Sequence, residues 1–446
     1  MKVRLEGGRE GDRTAITLGR RAFLQLSGLA AGAALAAPAI LKSTTIANAA
    51  DRTPITFASA KFFGNRTVAE MVDVFNQSQS RILVKYDELP PPSASTEVHQ
   101  GLVQRLAKKD GAPDVFTQDV VWIAEFAGAG WALPLDQYVS AEEAAAYFPG
   151  VLAACKWNGK LSALPWYVDS GMLYYRKDLL EAAGAAVPQT WDDLVKTATE
   201  IQKAGKAKIG FSWQGKQAEV LICDLVEFVT SHGGSILAAN GKTVEIAEPN
   251  AVAAVQFMYD TIAKYRISPT DVRSWDEEPS RAPFTAGDAV FLRNWSYVYP
   301  IAQDPKASSV DGKVGVAPLP HFAGGKSAAC LGGYQYGVNA TTRHREAAIE
   351  FLKWLSSPAT QLLFATELGL APSRPAVFDS PELGKAQPFM QTLKPVFVGA
   401  TPRPVTPKYS QVSLALQSAV SRAITNGDVE AELKRAKANL ERIVGK

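Results

Sequence analysis

The feature that most narrows the fold is a regular alternation of strand-like and helix-like segments that begins at Thr53. Thr53 to Ser59 reads as a strand, and Thr67 to Asn76 follows with Met71, Val72 and Phe75 on one helical face. Arg81 to Tyr86 is a second strand, ended by Pro90-Pro91-Pro92, and a helix carrying Leu102, Val103 and Leu106 leads to a third strand, Asp114 to Thr117. A βαβαβ order predicts a parallel sheet with helices on its faces. Ligands in such sheets bind at the carboxyl ends of the strands, which is where Asp119 and Trp122 fall.

A second α/β series starts near Pro165. Its strands are Ser170 to Tyr175, Lys208 to Phe211 and Ala289 to Arg293, and its helices are Trp191 to Ala204, Lys216 to Ser231 and Asn250 to Tyr265. Thr190 with Asp193 has the spacing of a capping box. Lys313 to Val316 and Tyr334 to Val338 are further strands, followed by helices at Arg343 to Leu355 and Pro358 to Glu367. A proline-rich return, Thr401 to Pro407, precedes two closing helices lined by Val412, Leu416, Val420 and Ile424, then by Leu433, Ala436, Leu440 and Ile443. Two α/β units without a linker imply two lobes joined by short crossovers.

The first 49 residues read as an export signal rather than as part of that fold. Arg20-Arg21 precede Phe23-Leu24 and the alanine-rich run Leu26 to Leu41, and Ala47-Asn48-Ala49 has the form of a cleavage site. The paired arginines resemble those of a twin-arginine signal. The segment carries seven basic and three acidic residues, so the +3 of the whole chain becomes −1 after cleavage behind Ala49. The basic excess belongs to the signal, and no charge-based reason remains for a nucleic-acid or membrane partner. The expected location is the periplasm. Cys155, Cys223 and Cys330 lie far apart and are an odd number, so at least one is unpaired; Cys223, in an apolar helical run, reads as a buried thiol.

Catalytic and metal motifs are missing. His99, His232, His321 and His344 are dispersed, and no C-x-x-C or H-E-x-x-H supports a zinc site. The two G-K-[ST] triplets lack the upstream P-loop glycine, finding Pro320 and Ile236 instead, and neither G-x-S-x-G nor G-x-G-x-x-G occurs. Asp192-Asp193 and Glu277-Glu278 read as a solvated helix start and a solvated loop. No catalytic residue, cofactor or resident metal is expected. Two alternatives stay open: an exported enzyme such as a glycosidase, and an iron-binding trap built on Tyr174-Tyr175, although adjacent strand residues face opposite ways.

What remains is a set of aromatic residues at loops and strand ends: Trp122, Trp131, Trp157, Trp166, Trp275 and Trp295. Sugars present apolar C–H faces ringed by hydroxyls, so a site for them needs flat aromatic platforms beside carboxylates, arginines and amides. Trp166-Tyr167 with Asp169, Asn294-Trp295, and Gly332-Gly333-Tyr334 combine both on one loop.

The stretch Leu164-Pro165-Trp166-Tyr167-Val168-Asp169-Ser170-Gly171-Met172-Leu173-Tyr174-Tyr175-Arg176-Lys177-Asp178 resembles the first crossover of the extracellular solute-binding proteins of carbohydrate ABC importers, closest to the trehalose/maltose-binding subgroup. Pro113 to Trp122, Trp213 to Gln217, Phe284 to Trp295, Leu331 to Tyr334 and Ala371 to Arg374 extend the resemblance in the family's order. It implies a two-lobed α/β periplasmic-binding-protein fold of type II, each lobe a central sheet flanked by helices, with a ligand cleft at the hinge. The N-terminal lobe would comprise 50–164 and 327–379, the C-terminal lobe 165–326 and 380–446. Carried over by position, Asp119, Tyr167 and Asp169 would bind sugar hydroxyls and Trp295 and Tyr334 would stack on sugar rings. Gly333 would donate its backbone N–H, and Arg374 would anchor a hydroxyl. The implied partners are a carbohydrate, a di- or oligosaccharide or glycoside, and the permease subunits of the importer; the chain would act as a monomer. Two departures bear on the sugar: Ala218-Glu219-Val220 stands where the family often has Tyr-Glu-Gly, and Tyr334 where it often has tryptophan. The loop Ala60 to Arg66, with Lys61 and Arg66, would suit an anionic sugar derivative.

Overall fold

A computed structural model describes residues 52–62, 67–238 and 240–445. The export signal and Phe63 to Arg66 of the pocket loop lie outside the described residues.

Thirteen short strands organise the described residues. β1 (Thr53–Ala60), β2 (Ile82–Leu89) and β3 (Val115–Asp119) are the three strands read from the first repeat of the alternation. β4 (Lys156–Trp157) and β5 (Lys160–Leu161) form a small hairpin. β6 (Leu164–Pro165), β7 (Asp169–Ser170) and β8 (Met172–Arg176) follow one another with hardly a break. β9 (Ile209–Ser212), β10 (Ala289–Asn294), β11 (Val314–Ala317), β12 (Leu331–Gly332) and β13 (Tyr334–Val338) complete the set.

Nine of these strands form two larger sheets. The first has the order β2-β1-β3-β13-β6 and the second the order β11-β8-β10-β9. The β2-β1-β3 core of the first sheet is parallel, as the βαβαβ order requires, but β13 and β6 add to it antiparallel. The sequence order alone misses those two because they arrive from the other sheet: β13 enters after β11 and β12, and β6 leaves towards β7 and β8. The two traverses pair with each other where they pass, Leu331 with Ser170 and Gly332 with Asp169, and so make a two-stranded hinge. Among the described residues no helix is long and apolar enough to cross a membrane.

Each sheet buries its own core. Around the first, Phe57, Leu102, Phe116, Phe126, Tyr336 and Phe351 pack together. The helix Val68–Ser78 contributes Met71, Val72 and Phe75, and its start is a capping box between Thr67 and Glu70. Around the second, Trp191, Phe211, Trp213 and Phe228 pack against Leu416, Val420 and Leu433 of the closing helices. The expected capping box of Thr190 and Asp193 opens the helix Trp191–Lys203. A third cluster joins Val168, Met172 and Tyr174 near the hinge to Phe378, Phe389 and Phe397. Its source is a run of short, proline-started helices between Pro375 and Val398, which the sequence reading left without structure. All three cysteines are free and buried.

Candidate functional site

The strand ends of the two sheets face one cleft, of about 860 Å³ counting its open mouth. Asp119, Tyr167, Asp169, Trp295, Gly333 and Tyr334 all line it, together with Lys61, Phe62, Glu219, Glu277, Tyr297 and Arg403.

Asp119 closes β3, and its Oδ1 accepts the Val121 N–H at 3.3 Å, so the carboxylate is set by the turn that ends its own strand. Asp169 opens the hinge strand β7. Its Oδ1 accepts the N–H of Ser170 at 2.9 Å and of Ser296 at 3.3 Å, which ties the hinge to the loop after β10. Burial pushes its carboxyl up to about 7 against these stabilising donors. Gly333 has φ +106, and a Cβ there would lie 2.3 Å from the Tyr167 carbonyl oxygen. Only glycine fits where the two traverses pass so closely.

The aromatic residues divide between the lobes. Tyr167 and Tyr334 lie nearly parallel, 6.4 Å between centroids and 9° between planes, and Phe62 sets its edge against both. Trp295 comes from the opposite sheet, just after β10. Its N–H is held by the Asn294 side chain at 2.8 Å and its carbonyl by the Tyr174 hydroxyl at 2.7 Å. Behind the indole sits the guanidinium of Arg293, 4.2 Å from the ring centroid. Arg293 is itself clamped by Glu227, at 2.5 and 2.7 Å, and by Asp224 at 3.0 Å. Glu227 also accepts the N–H of Cys330 beside β12 at 3.0 Å. A Cβ on Gly171 would be 2.0 Å from Glu227 Oε1, so the glycine between β7 and β8 makes room for this ion cluster. The platform and the hinge thus rest on one buried support.

Arg403 is the residue that sequence reasoning missed. Its guanidinium spans the cleft floor, 2.5 Å from Asp119 Oδ1 and 2.7 Å from Glu219 Oε1. Glu219 begins the helix Glu219–Ser231 and also receives the hydroxyls of Tyr409 and Ser413. The available signal was Arg403 itself, the sole charge between Val396 and Thr406 and enclosed by Pro402 and Pro404.

Two expectations are corrected. Arg374 does not reach the cleft: it stacks on Tyr147 at 4.0 Å and donates to the Ser356 carbonyl at 2.9 Å and the Tyr147 hydroxyl at 2.7 Å, while Leu370 of the same segment lines the cleft. Glu277-Glu278 is not a solvated loop. It starts the helix Glu277–Thr285 at the cleft wall, where burial pushes the Glu277 carboxyl up to about 7. Lys61 lines the cleft and pairs with Glu88 at 3.2 Å, both side chains half-exposed, while Arg66, the other cation of the loop, lies outside the described residues. Of the six tryptophans read at loops and strand ends, only Trp295 lines the cleft. Tyr174 is fully buried and spends its hydroxyl on Trp295, and Tyr175 lies across from Gly315, so the two tyrosines do not converge on one site.

Polar atoms sealed from solvent without a partner cost free energy. Three sit on residues of this cleft: Glu277 Oε2, the Tyr334 hydroxyl and Arg403 Nε. They offer an acceptor, a donor–acceptor and a donor, the set that a ring of hydroxyls complements.

Residues 66–362 match the family described as bacterial extracellular solute-binding protein. A probable ABC transporter-binding protein of Deinococcus radiodurans is 37% identical over 354 residues, 77% of this chain and 83% of that one. A maltotriose-binding protein of Pyrococcus abyssi is 24% identical, covering 72% and 69%. The maltose-bound structure of MalE3 from T. maritima superposes with a TM-score of 0.82 at 39% identity, covering 87% of this chain and 99% of that one.

Proposed function

Because this chain belongs to the bacterial extracellular solute-binding protein family, we propose that it captures an uncharged sugar, a di- or oligosaccharide or glycoside of the maltose type, for an ABC importer. The observation that carries this reading is the cleft itself. Aromatic faces from both sheets look onto it, and its sealed Glu277, Tyr334 and Arg403 atoms lack partners that sugar hydroxyls would supply. The similarity to a structure solved with maltose supports the sugar class.

The mechanism is a hinged trap. One lobe would be 50–164 with 327–379 and the other 165–326 with 380–446, joined through β7 and β12. A ligand that touches Asp119 and Tyr334 on one side and Trp295 and Glu277 on the other makes its full set of contacts only when the lobes close. It therefore shifts the open–closed equilibrium towards closure. The closed monomer docks on the permease subunits, releases the sugar unchanged, and needs no catalytic residue or cofactor of its own. Residues 1–49 would direct the folded chain out of the cytoplasm by the twin-arginine route to the periplasm.

Calorimetric titration of the chain beginning at Ala50 with a panel of neutral sugars tests the reading. Binding of at least one of them with one-to-one stoichiometry is expected. A flat response to the whole panel, with sugar uptake intact in cells lacking the protein, would overturn it.

A further inference from the structure

Three consecutive acidic residues begin the helix at the cleft wall, and they are treated differently. Asp276 pairs with Lys216 at 2.6 Å. Glu278 pairs with Arg281 at 2.5 Å and accepts the Tyr297 hydroxyl at 2.6 Å. Glu277, between them, lines the cleft and has no ion pair among the described residues. One of its oxygens, Oε1, accepts the Trp295 indole N–H at 3.4 Å. The other, Oε2, is sealed from solvent and accepts nothing.

That asymmetry has a cost. A buried acceptor without a donor forfeits the hydration it had in water. The other acidic groups of the cleft have been given partners: Asp119 and Glu219 share Arg403, and Asp169 holds two backbone N–H groups. The cations are likewise engaged, Lys61 with Glu88 and Arg403 with its two carboxylates. Among the carboxylates of the cleft, Oε2 of Glu277 thus stands without a donor, and it belongs to the residue hydrogen-bonded to the Trp295 indole.

We propose that Glu277 is a specificity-determining residue whose Oε2 accepts a hydroxyl of the sugar ring stacked on Trp295, and which bars a sugar bearing a carboxylate or phosphate at that position. The inference rests on the sugar-capture reading above and names the atom that selects within the class. Since Trp295 donates to Oε1, platform and acceptor form one unit. A ring lying on the indole presents its edge hydroxyls towards the carboxylate. An anionic substituent would meet Glu277, and the cations lining the cleft among the described residues, Lys61 and Arg403, already hold carboxylates.

The experiment titrates wild type, Glu277→Gln and Glu277→Ala with maltose, its monodeoxy analogues, and a maltose derivative oxidised to a uronic acid. If maltose does not bind, the neutral sugar that binds wild type in the panel replaces it. Glu277→Gln keeps the shape and the Trp295 contact, and its melting temperature without ligand should match or exceed that of wild type. The expected result is a 10- to 100-fold loss of maltose affinity in Glu277→Gln, on the order of a charge-assisted hydrogen bond. One monodeoxy analogue should bind wild type and Glu277→Gln equally weakly, which identifies the hydroxyl. The uronic acid should bind wild type at least 100-fold more weakly than maltose and recover part of that deficit in Glu277→Gln. Equal maltose affinity in wild type and Glu277→Gln, with wild type binding well, overturns the role of Glu277 alone. A wild type that binds no neutral sugar overturns the sugar-capture reading and this inference with it.

Discussion

Replacing Arg403 by methionine removes the cation that bridges Asp119 and Glu219 on the cleft floor. The side chains involved are nearly enclosed: Arg403 is 2% exposed, Asp119 10% and Glu219 12%. Buried pairs behave unlike surface ones. Loss of one partner leaves the other charge desolvated and uncompensated, at a cost of about 3–5 kcal/mol, whereas an exposed pair is worth about 0–1 kcal/mol. Arg403→Met strands two carboxylates, so the upper part of that range is expected. The Tyr409 and Ser413 hydroxyls soften the effect at Glu219, because they continue to donate to it. The assay is urea unfolding without ligand, read by tryptophan fluorescence. A drop of about 3–4 kcal/mol is expected for Arg403→Met. Most of it should return in the triple variant Arg403→Met, Asp119→Asn, Glu219→Gln, in which no buried charge is left unpaired. A loss below about 1 kcal/mol in the single variant, or a triple variant no more stable than the single one, would refute the reasoning. It would mean that the triad is solvated in the resting molecule.

Three further outcomes follow from the same geometry. Trp295→Ala should weaken sugar binding at least 100-fold and cost about 1–2 kcal/mol of unliganded stability, because the indole also covers Arg293; titration and urea unfolding of one preparation check both. Arg374→Ala should leave sugar affinity within about twofold while lowering the melting temperature, since its partners are Tyr147 and Ser356 rather than the cleft; a large loss of affinity would restore it to the site. Asp169 and Glu277 both titrate near 7 when the cleft is empty because burial disfavours their charged forms. Their folded values exceed the unfolded ones, so unliganded stability should fall as pH rises from the usual carboxylate range to about 7 and level off above it. Sugar hydroxyls favour the ionised forms. Affinity should therefore rise with pH from 6 to 8 and binding should release protons, which calorimetry in buffers of different ionisation enthalpy measures.

How much of this was legible in the sequence depended on whether the cause was local. Thr190 with Asp193, and Met71 with Val72 and Phe75, act within one helix, and both features stand in the structure. β1 to β3 were visible because alternating strand and helix patterns need no partner to be read. Of the antiparallel partners, β13 was visible as a segment and β6 was not, and their pairing is set by two passages between the lobes, which no local pattern encodes. The site shows the same division. Asp119, Tyr167, Asp169, Trp295, Gly333 and Tyr334 sit at strand ends or on the hinge, where position and chemistry coincide, and all line the cleft. Glu277 was misread because a pair of glutamates before a helix usually faces water. What buries it is Trp295, 18 positions later in the chain. Arg403 escaped because its partners, Asp119 and Glu219, lie 284 and 184 residues away. Arg374 was assigned by resemblance, and its guanidinium finds a nearer use on Tyr147.

The most direct test of the account is a crystal structure of the chain with its sugar, either co-purified or supplied from the titration panel. The account predicts one sugar ring lying against the Trp295 indole, a hydroxyl on Glu277 Oε2, and further hydroxyls on Asp119 and Asp169, with the lobes closed around them. Sugar density outside the cleft, or a ring in the cleft that touches neither Trp295 nor the carboxylates, would contradict it.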